Sequence, residues 1–170
     1  SLHDALPIFN QPTTPLTSFI NINDSVNCKS GTDGSAQVLG QGGTIGQGYS
    51  YSWDNNQVGS IISGVPAGTY VCTITDDTSC TTTQPVTISE PATYLSANTT
   101  NIDSVSCKDG TDGSATIQAS GSTPSYTYIW TSGQNGPTLS GVTAGTYTCN
   151  IYDYNFCNLT KVVTIYEPDV

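Results

Sequence analysis

Six cysteines are the residues of this 170-residue chain best suited to chemistry, and they fall into two sets of three: Cys28, Cys72, Cys80 and Cys107, Cys149, Cys157. Such a set can ligate a metal, act as a nucleophile or form disulfides. A zinc site favours closely spaced cysteines and histidines. No Cys-x-x-Cys pair occurs here, and the single histidine is His3. A cysteine or serine nucleophile needs a neighbouring base, normally histidine. Glycosidase chemistry needs a carboxylate pair; Asp76-Asp77 is the candidate, but the corresponding second position later in the chain is Tyr154. No catalytic residue, cofactor or metal centre is therefore expected, and the cysteines read as disulfides and buried thiols.

Calcium is the remaining metal question. Asp33 and Asp112 sit in Gly-Thr-Asp-Gly stretches, and Asp76 and Asp153 close a strand-like run. Oxygen ligands on loops suit that ion. Aspartate also favours turns because its side chain hydrogen-bonds nearby backbone, and no Asp-x-Asp-x-Asp run is present. Turn chemistry is the favoured reading, with these four residues as weak calcium candidates.

Ser1-Leu2-His3-Asp4-Ala5-Leu6-Pro7-Ile8 resembles the in-frame translation of a common sequencing adapter and is set apart from fold reasoning. His3 goes with it. The chain is then expected to be a fragment of a longer reading frame.

The remaining composition narrows the function classes. Three lysines, no arginine and 13 acidic residues give a formal charge of −10. That is a poor match for a phosphate backbone, since typical DNA binders contact about six to ten phosphates. No apolar run approaches the roughly 20 residues of a membrane-spanning helix. Neither nucleic-acid binding nor membrane insertion is expected. Threonine (27), serine (20) and glycine (17) dominate, and methionine is absent, as suits small all-β modules with polar outer faces.

The organisation becomes clear when the chain is aligned with itself. Val26-Asn27-Cys28-Lys29-Ser30-Gly31-Thr32-Asp33-Gly34-Ser35-Ala36 returns as Val105-Ser106-Cys107-Lys108-Asp109-Gly110-Thr111-Asp112-Gly113-Ser114-Ala115, and Tyr49-Ser50-Tyr51-Ser52-Trp53 as Tyr126-Thr127-Tyr128-Ile129-Trp130. Ala67-Gly68-Thr69-Tyr70 and Glu90-Pro91 recur as Ala144-Gly145-Thr146-Tyr147 and Glu167-Pro168. Within each copy the pattern has period two: Tyr70, Cys72 and Ile74 share one face, threonines the other. Strands are expected near 17–22, 35–38, 49–53, 60–62, 68–75 and 83–89, with turns at Asp33-Gly34, Ser63-Gly64, Pro66-Ala67-Gly68 and Asp76-Asp77. The prediction is all-β, two tandem immunoglobulin-like β-sandwich modules over residues 15–91 and 92–168.

Cys28 and Cys80 fall at strand ends where a sandwich can bring them together, so the expected bonds are Cys28–Cys80 and Cys107–Cys157, in an oxidising compartment. Cys72 and Cys149 lie mid-strand on the inward face and are expected as buried free thiols. Tyr49, Tyr51, Trp53 and their counterparts either stack sugars or, being on one face, fill a core; the core is favoured.

The ordered blocks Val-x-Cys-Lys-x-Gly-Thr-Asp-Gly-Ser-Ala, Tyr-x-Tyr-x-Trp, Gly-Val-x-Ala-Gly-Thr-Tyr and Asp-x-x-x-Cys, found twice over residues 24–168, resemble the SprB repeat of large surface adhesins of gliding and related Bacteroidetes. The resemblance implies extracellular cell-surface display through type IX secretion, many further repeats, and a role in adhesion or gliding motility. Its partners would be surface glycans or other cell-surface components and neighbouring repeats. The family's usual cysteines, near the start and after the Asp turn, support the pairing above, and it carries no catalytic residue. Spacer modules of a secreted peptidase or glycosidase, or carbohydrate-binding modules, are the alternatives. Asp24-Ser25-Val26 and Asp103-Ser104-Val105 match the short O-glycosylation pattern of these bacteria, making Ser25 and Ser104 candidate acceptors; a turn before a strand is the favoured reading.

Overall fold

The computed structural model describes residues 14–169. The adapter-like residues 1–8, His3 included, lie outside them. The chain divides into two compact units. Among the described residues the first is 14–26 with Gly31–Ser89, and the second is Asn27–Ser30 with 90–169.

Among the described residues every regular element is a strand. In the first unit these are β1 (Thr17–Asp24), β2 (Gly34–Gln41), β3 (Ser50–Trp53), β4 (Ile61–Val65), β5 (Gly68–Thr75) and β6 (Thr81–Ile88). The second unit repeats them as β7 (Ser96–Asp103), β8 (Gly113–Ser120), β9 (Thr127–Trp130), β10 (Thr138–Val142), β11 (Gly145–Tyr152) and β12 (Asn158–Ile165). Each unit has two three-stranded antiparallel sheets, ordered β1-β2-β4 and β3-β5-β6 in the first and β7-β8-β10 and β9-β11-β12 in the second. This is the A-B-E and C-F-G arrangement of an immunoglobulin-like sandwich without strand D.

Alternation explains the burial. Gly34, Ala36 and Val38 of β2, Cys72 and Ile74 of β5, and Val86 and Ile88 of β6 point into one core with Trp53 and Ile62. The second core repeats this with Ala115, Ile117, Cys149, Ile151, Val163, Ile165, Trp130 and Leu139. Trp53 lies opposite Cys72 in the ladder, as Trp130 lies opposite Cys149. Each indole N–H donates to a carbonyl, Trp53 to Gly59 at 3.0 Å and Trp130 to Gly136 at 3.0 Å, so the buried polar edge is satisfied. Two residues before each buried cysteine, a tyrosine hydroxyl reaches back to the chain: Tyr70 to the Pro66 carbonyl at 2.9 Å, Tyr147 to the Thr143 carbonyl at 3.0 Å. This is the tyrosine corner of immunoglobulin-like folds. Pro85 is accommodated because β6 is an edge strand.

Asp33-Gly34, expected as a turn, instead leads directly into β2, as Asp112-Gly113 leads into β8, and both glycines are required by packing. A Cβ on Gly34 would fall 2.5 Å from Ile88 Cγ2 and 2.9 Å from the Val65 carbonyl; on Gly113 it would meet Ile165 Cγ2 at 2.6 Å and the Val142 carbonyl at 2.8 Å. Ser63-Gly64, expected as a turn, instead lies inside β4. Gly64 has a φ of +67°, and the register jumps there from Ser35–Ser63 to Gly34–Val65. It is a β-bulge, and Gly141 with φ +66° makes its twin.

The packing predicts a clear contrast. Trp130→Ala should cost about 3–5 kcal/mol by urea denaturation, as for a fully buried aromatic, whereas Cys149→Val, close in volume, should cost under about 1.5 kcal/mol. Equal effects of the two would contradict this core.

Candidate functional site

The chemistry-bearing residues collect at the loop after β5 and its counterpart after β11. Asp76 is buried, 6% exposed, and its carboxylate is saturated by donors. Oδ1 accepts from the Thr78 N–H, the Thr78 hydroxyl and the Cys80 N–H, each at 2.9 Å, and Oδ2 accepts from the Thr44 N–H at 2.9 Å. Asp153, 4% exposed, does the same: Oδ1 takes the Asn155 N–H at 2.9 Å and the Cys157 N–H at 2.8 Å, and Oδ2 takes the Thr123 N–H at 3.1 Å. Each aspartate thus ties the loop leaving one sheet to the loop leaving the other. Burial without such donors would be costly.

The donors also set the acidity. The Thr44 N–H leads in holding the Asp76 carboxyl below its ordinary pKa; burial opposes it, and Cys80 and Thr78 reinforce it. For Asp153 burial is the largest single influence and raises the pKa, but Ser122, Thr123, Cys157 and Asn155 together outweigh it, and the net shift is downward.

In the second unit a short segment, Asn27–Ser30, packs beside this loop. Cys28 is bonded to Cys157, with a Cα–Cα distance of 5.6 Å. Around the bond, Asn155 Nδ2 donates to the Asn27 carbonyl at 3.1 Å. Lys29 pairs with Glu90, and the Ser30 N–H donates to Glu90 Oε2 at 2.6 Å. The Ser30 hydroxyl meets the Tyr94 hydroxyl at 2.8 Å. Lys29 and Ser30 hold the Glu90 carboxyl below its ordinary pKa. The ion pair is partly exposed, so solvent screening weakens it. Joining residues 129 apart in sequence is worth about 5 kcal/mol in the chain-entropy account of disulfides.

This overturns the expected pairing. Cys28 does not bond Cys80, and Cys107 does not bond Cys157; Cys80 and Cys107 are free and exposed. The chain leaves the first unit after Val26 and rejoins it at Gly31, so Cys28 belongs to the second unit, where Glu90 clasps its neighbours. Cys72 and Cys149 are fully buried free thiols; burial pushes the Cys72 thiol up to about 11 and raises that of Cys149.

The calcium candidates are not brought together. Asp76 and Asp153 direct their oxygens at backbone donors, and Asp112 accepts from the Ser106 N–H at 3.0 Å. Asp33 and Asp112 are exposed, just ahead of β2 and β8. Among the described residues no three His, Cys, Asp or Glu side chains cluster to hold a metal. Ser25 and Ser104 are both exposed; Ser25 Oγ lies 2.6 Å from Ser89 Oγ. The next residues, Val26 and Val105, are core, so packing alone accounts for the apolar position of that pattern.

Tyr49, Tyr51 and Trp53, with Tyr126, Tyr128 and Trp130, pack against the cores. The exposed aromatics lie elsewhere. Tyr154 and Phe156, 68% and 82% exposed, line a shallow groove of about 580 Å³ beside Asp153. Sequence reasoning missed these two, and also Asn155 and Glu90. The recurring Glu-Pro was the signal available for Glu90.

The family model described as the SprB repeat matches residues 99–135, within the second unit. No curated protein matches the chain. Among solved structures, the three N-terminal domains of the highly immunogenic outer capsid protein of bacteriophage RB49 align at 17% identity and a TM-score of 0.47, over 91% of this chain and 58% of that one. DIP-gamma immunoglobulin domains 1 and 2 align at 15% and 0.38, over 90% and 98%. A 282-residue C-terminal fragment of intimin, solved with the intimin-binding domain of its translocated receptor, aligns at 12% and 0.39, over 89% and 63%.

The depressed carboxyls fix the sign of the pH dependence. Asp76, Asp112, Asp153 and Glu90 bind protons less readily folded than unfolded. Their contribution is therefore fully present above the unfolded carboxylate range, about 4, and is lost as pH falls through the lower folded values. Melting temperatures should hold from pH 7 to about 5 and drop below about 4, and the drop should shrink in the D76N/D153N double variant. A drop of undiminished size in that variant would contradict the role given to these loops.

Proposed function

We propose that this chain is a non-catalytic repeat segment of a large secreted bacterial cell-surface protein, acting in adhesion as stalk or adhesive modules. The observation that carries this reading is the duplication itself. Both units repeat the same core, the same tyrosine corner and the same buried aspartate, whose oxygens hold loops in place. The SprB repeat match at residues 99–135 supports it. The disulfide supports an oxidising, extracellular location. The finer reading, a Bacteroidetes adhesin exported by type IX secretion and used in gliding, rests on the resemblance of the repeated blocks. Stability local to each module, multiplied by number, gives such a protein reach and avidity. Its partners are cell-surface components, together with neighbouring repeats.

One observation favours a carbohydrate-binding reading. Tyr154 and Phe156 offer two exposed aromatic faces beside the Asp153 groove of the second unit, although the corresponding positions of the first unit are Asp77 and Ser79.

Long-read sequencing of the locus tests the main reading. The expected result is a frame continuing through many such units with no catalytic domain; a peptidase or glycosidase domain in that frame would make these modules its spacers. On a glycan array, a stalk binds nothing. Binding abolished by Y154A/F156A would establish the carbohydrate reading instead.

A further inference from the structure

The free cysteines are presented like the bonded ones. In Asn27–Ser30, the segment that carries Cys28, Ser30 has a φ of +63° and its N–H reaches Glu90 Oε2 at 2.6 Å. Around Cys107, Asp109 has a φ of +59° and its N–H reaches Glu167 Oε2 at 3.1 Å. At the other half of the bond, the Cys157 N–H donates to Asp153 Oδ1 at 2.8 Å, the Asp153 N–H donates to the Cys157 carbonyl at 3.1 Å, and Phe156 has a φ of +63°. Cys80 repeats each feature: 2.9 Å to Asp76 Oδ1, 3.0 Å from the Asp76 N–H, and a φ of +66° at Ser79.

The surroundings differ. Bonded Cys157 is buried and Cys28 half-buried, while Cys80 and Cys107 are exposed. Lys29 is half-buried beside Glu90, but Lys108, its counterpart, is exposed. The first cysteine of one sequence repeat thus bonds the post-aspartate cysteine of the next, and two prearranged thiols are left, one of each type.

We propose that Cys107 and Cys80 are each half of this same bond, made with flanking repeats. Cys107 bonds the post-aspartate cysteine of the repeat that follows. Cys80 bonds the opening cysteine of the repeat that precedes. An array so built is linked covalently from each repeat to the next, independently of its backbone. In each bond the two thiols lose two protons and two electrons and one S–S bond forms. A disulfide oxidant of the extracytoplasmic space takes up the electrons by exchange and leaves as two thiols. Exposure of both sulfurs permits that exchange.

The inference rests on the reading of the chain as part of a longer array, and it is tested apart from that reading. The full chain is extended so that Pro168 is followed directly by a second copy of residues 13–170, which reproduces the spacing of Pro91 and Ala92. After oxidation in a glutathione redox buffer, the remaining thiols are alkylated and the unreduced protein is digested for mass spectrometry. The expected product joins Cys107 of the first copy to Cys80 of the second, alongside Cys28–Cys157 in each copy. Cys107→Ser in the first copy should leave Cys80 of the second copy alkylated. Both thiols alkylated while the Cys28–Cys157 bonds are intact would overturn the proposal, as would Cys28–Cys80 bonds or chains dimerised through Cys80 alone. None of these outcomes bears on what the locus sequence encodes.

Discussion

A carboxylate removed from water must be ringed by donors, and the whole loop end of each unit is arranged to meet that demand. Asp76 and Asp153 are buried, and backbone N–H groups from two different loops converge on each. Satisfying the oxygens forces the five-residue turn to close on itself, with Ser79 or Phe156 in the left-handed region and the next residue, a cysteine, held by its own N–H. The position of the thiol is therefore a consequence of where the charge is buried. Charge, loop geometry and covalent chemistry form one chain of cause in this molecule.

The sandwich behind the loops solves a different problem. A chain this rich in threonine and serine has few large apolar side chains, so each core is assembled mainly from valine, isoleucine, alanine and a cysteine around a single tryptophan. Close approach substitutes for bulk: Gly34 and Gly113 let an isoleucine of the opposite sheet sit where a Cβ would be. The tyrosine corners and indole bonds then fix the strand that carries the buried thiol. Cys72 and Cys149 are packing residues whose chemistry burial suppresses.

Much of this was legible in the sequence. Period-two alternation was clearest in β2, β5 and β6, because a half-buried sheet writes its inward face into every second residue, and the duplication carried the reading to the second copy. The matching cysteines, Asp-Gly pairs and tyrosines disclosed the duplication. Three features were not legible, each for a physical reason. Ser63-Gly64 has turn composition, but a positive φ serves a bulge as well as a turn. The exposure of Tyr154 and Phe156 depends on a loop whose conformation is dictated by Asp153, not by local hydrophobicity. The disulfide partner of Cys28 was assigned within one sequence repeat, whereas the compact unit borrows Asn27–Ser30 from the repeat before it. Repeat boundaries in sequence and unit boundaries in space differ by those four residues and by Glu90 and Pro91, and the cysteine lies among the four.

The most direct test of this account is a disulfide map of the unreduced 170-residue chain, with free thiols alkylated before digestion. The account predicts a peptide joining Cys28 to Cys157, with Cys80 and Cys107 alkylated. Recovery of Cys28 joined to Cys80 and Cys107 joined to Cys157 would contradict it.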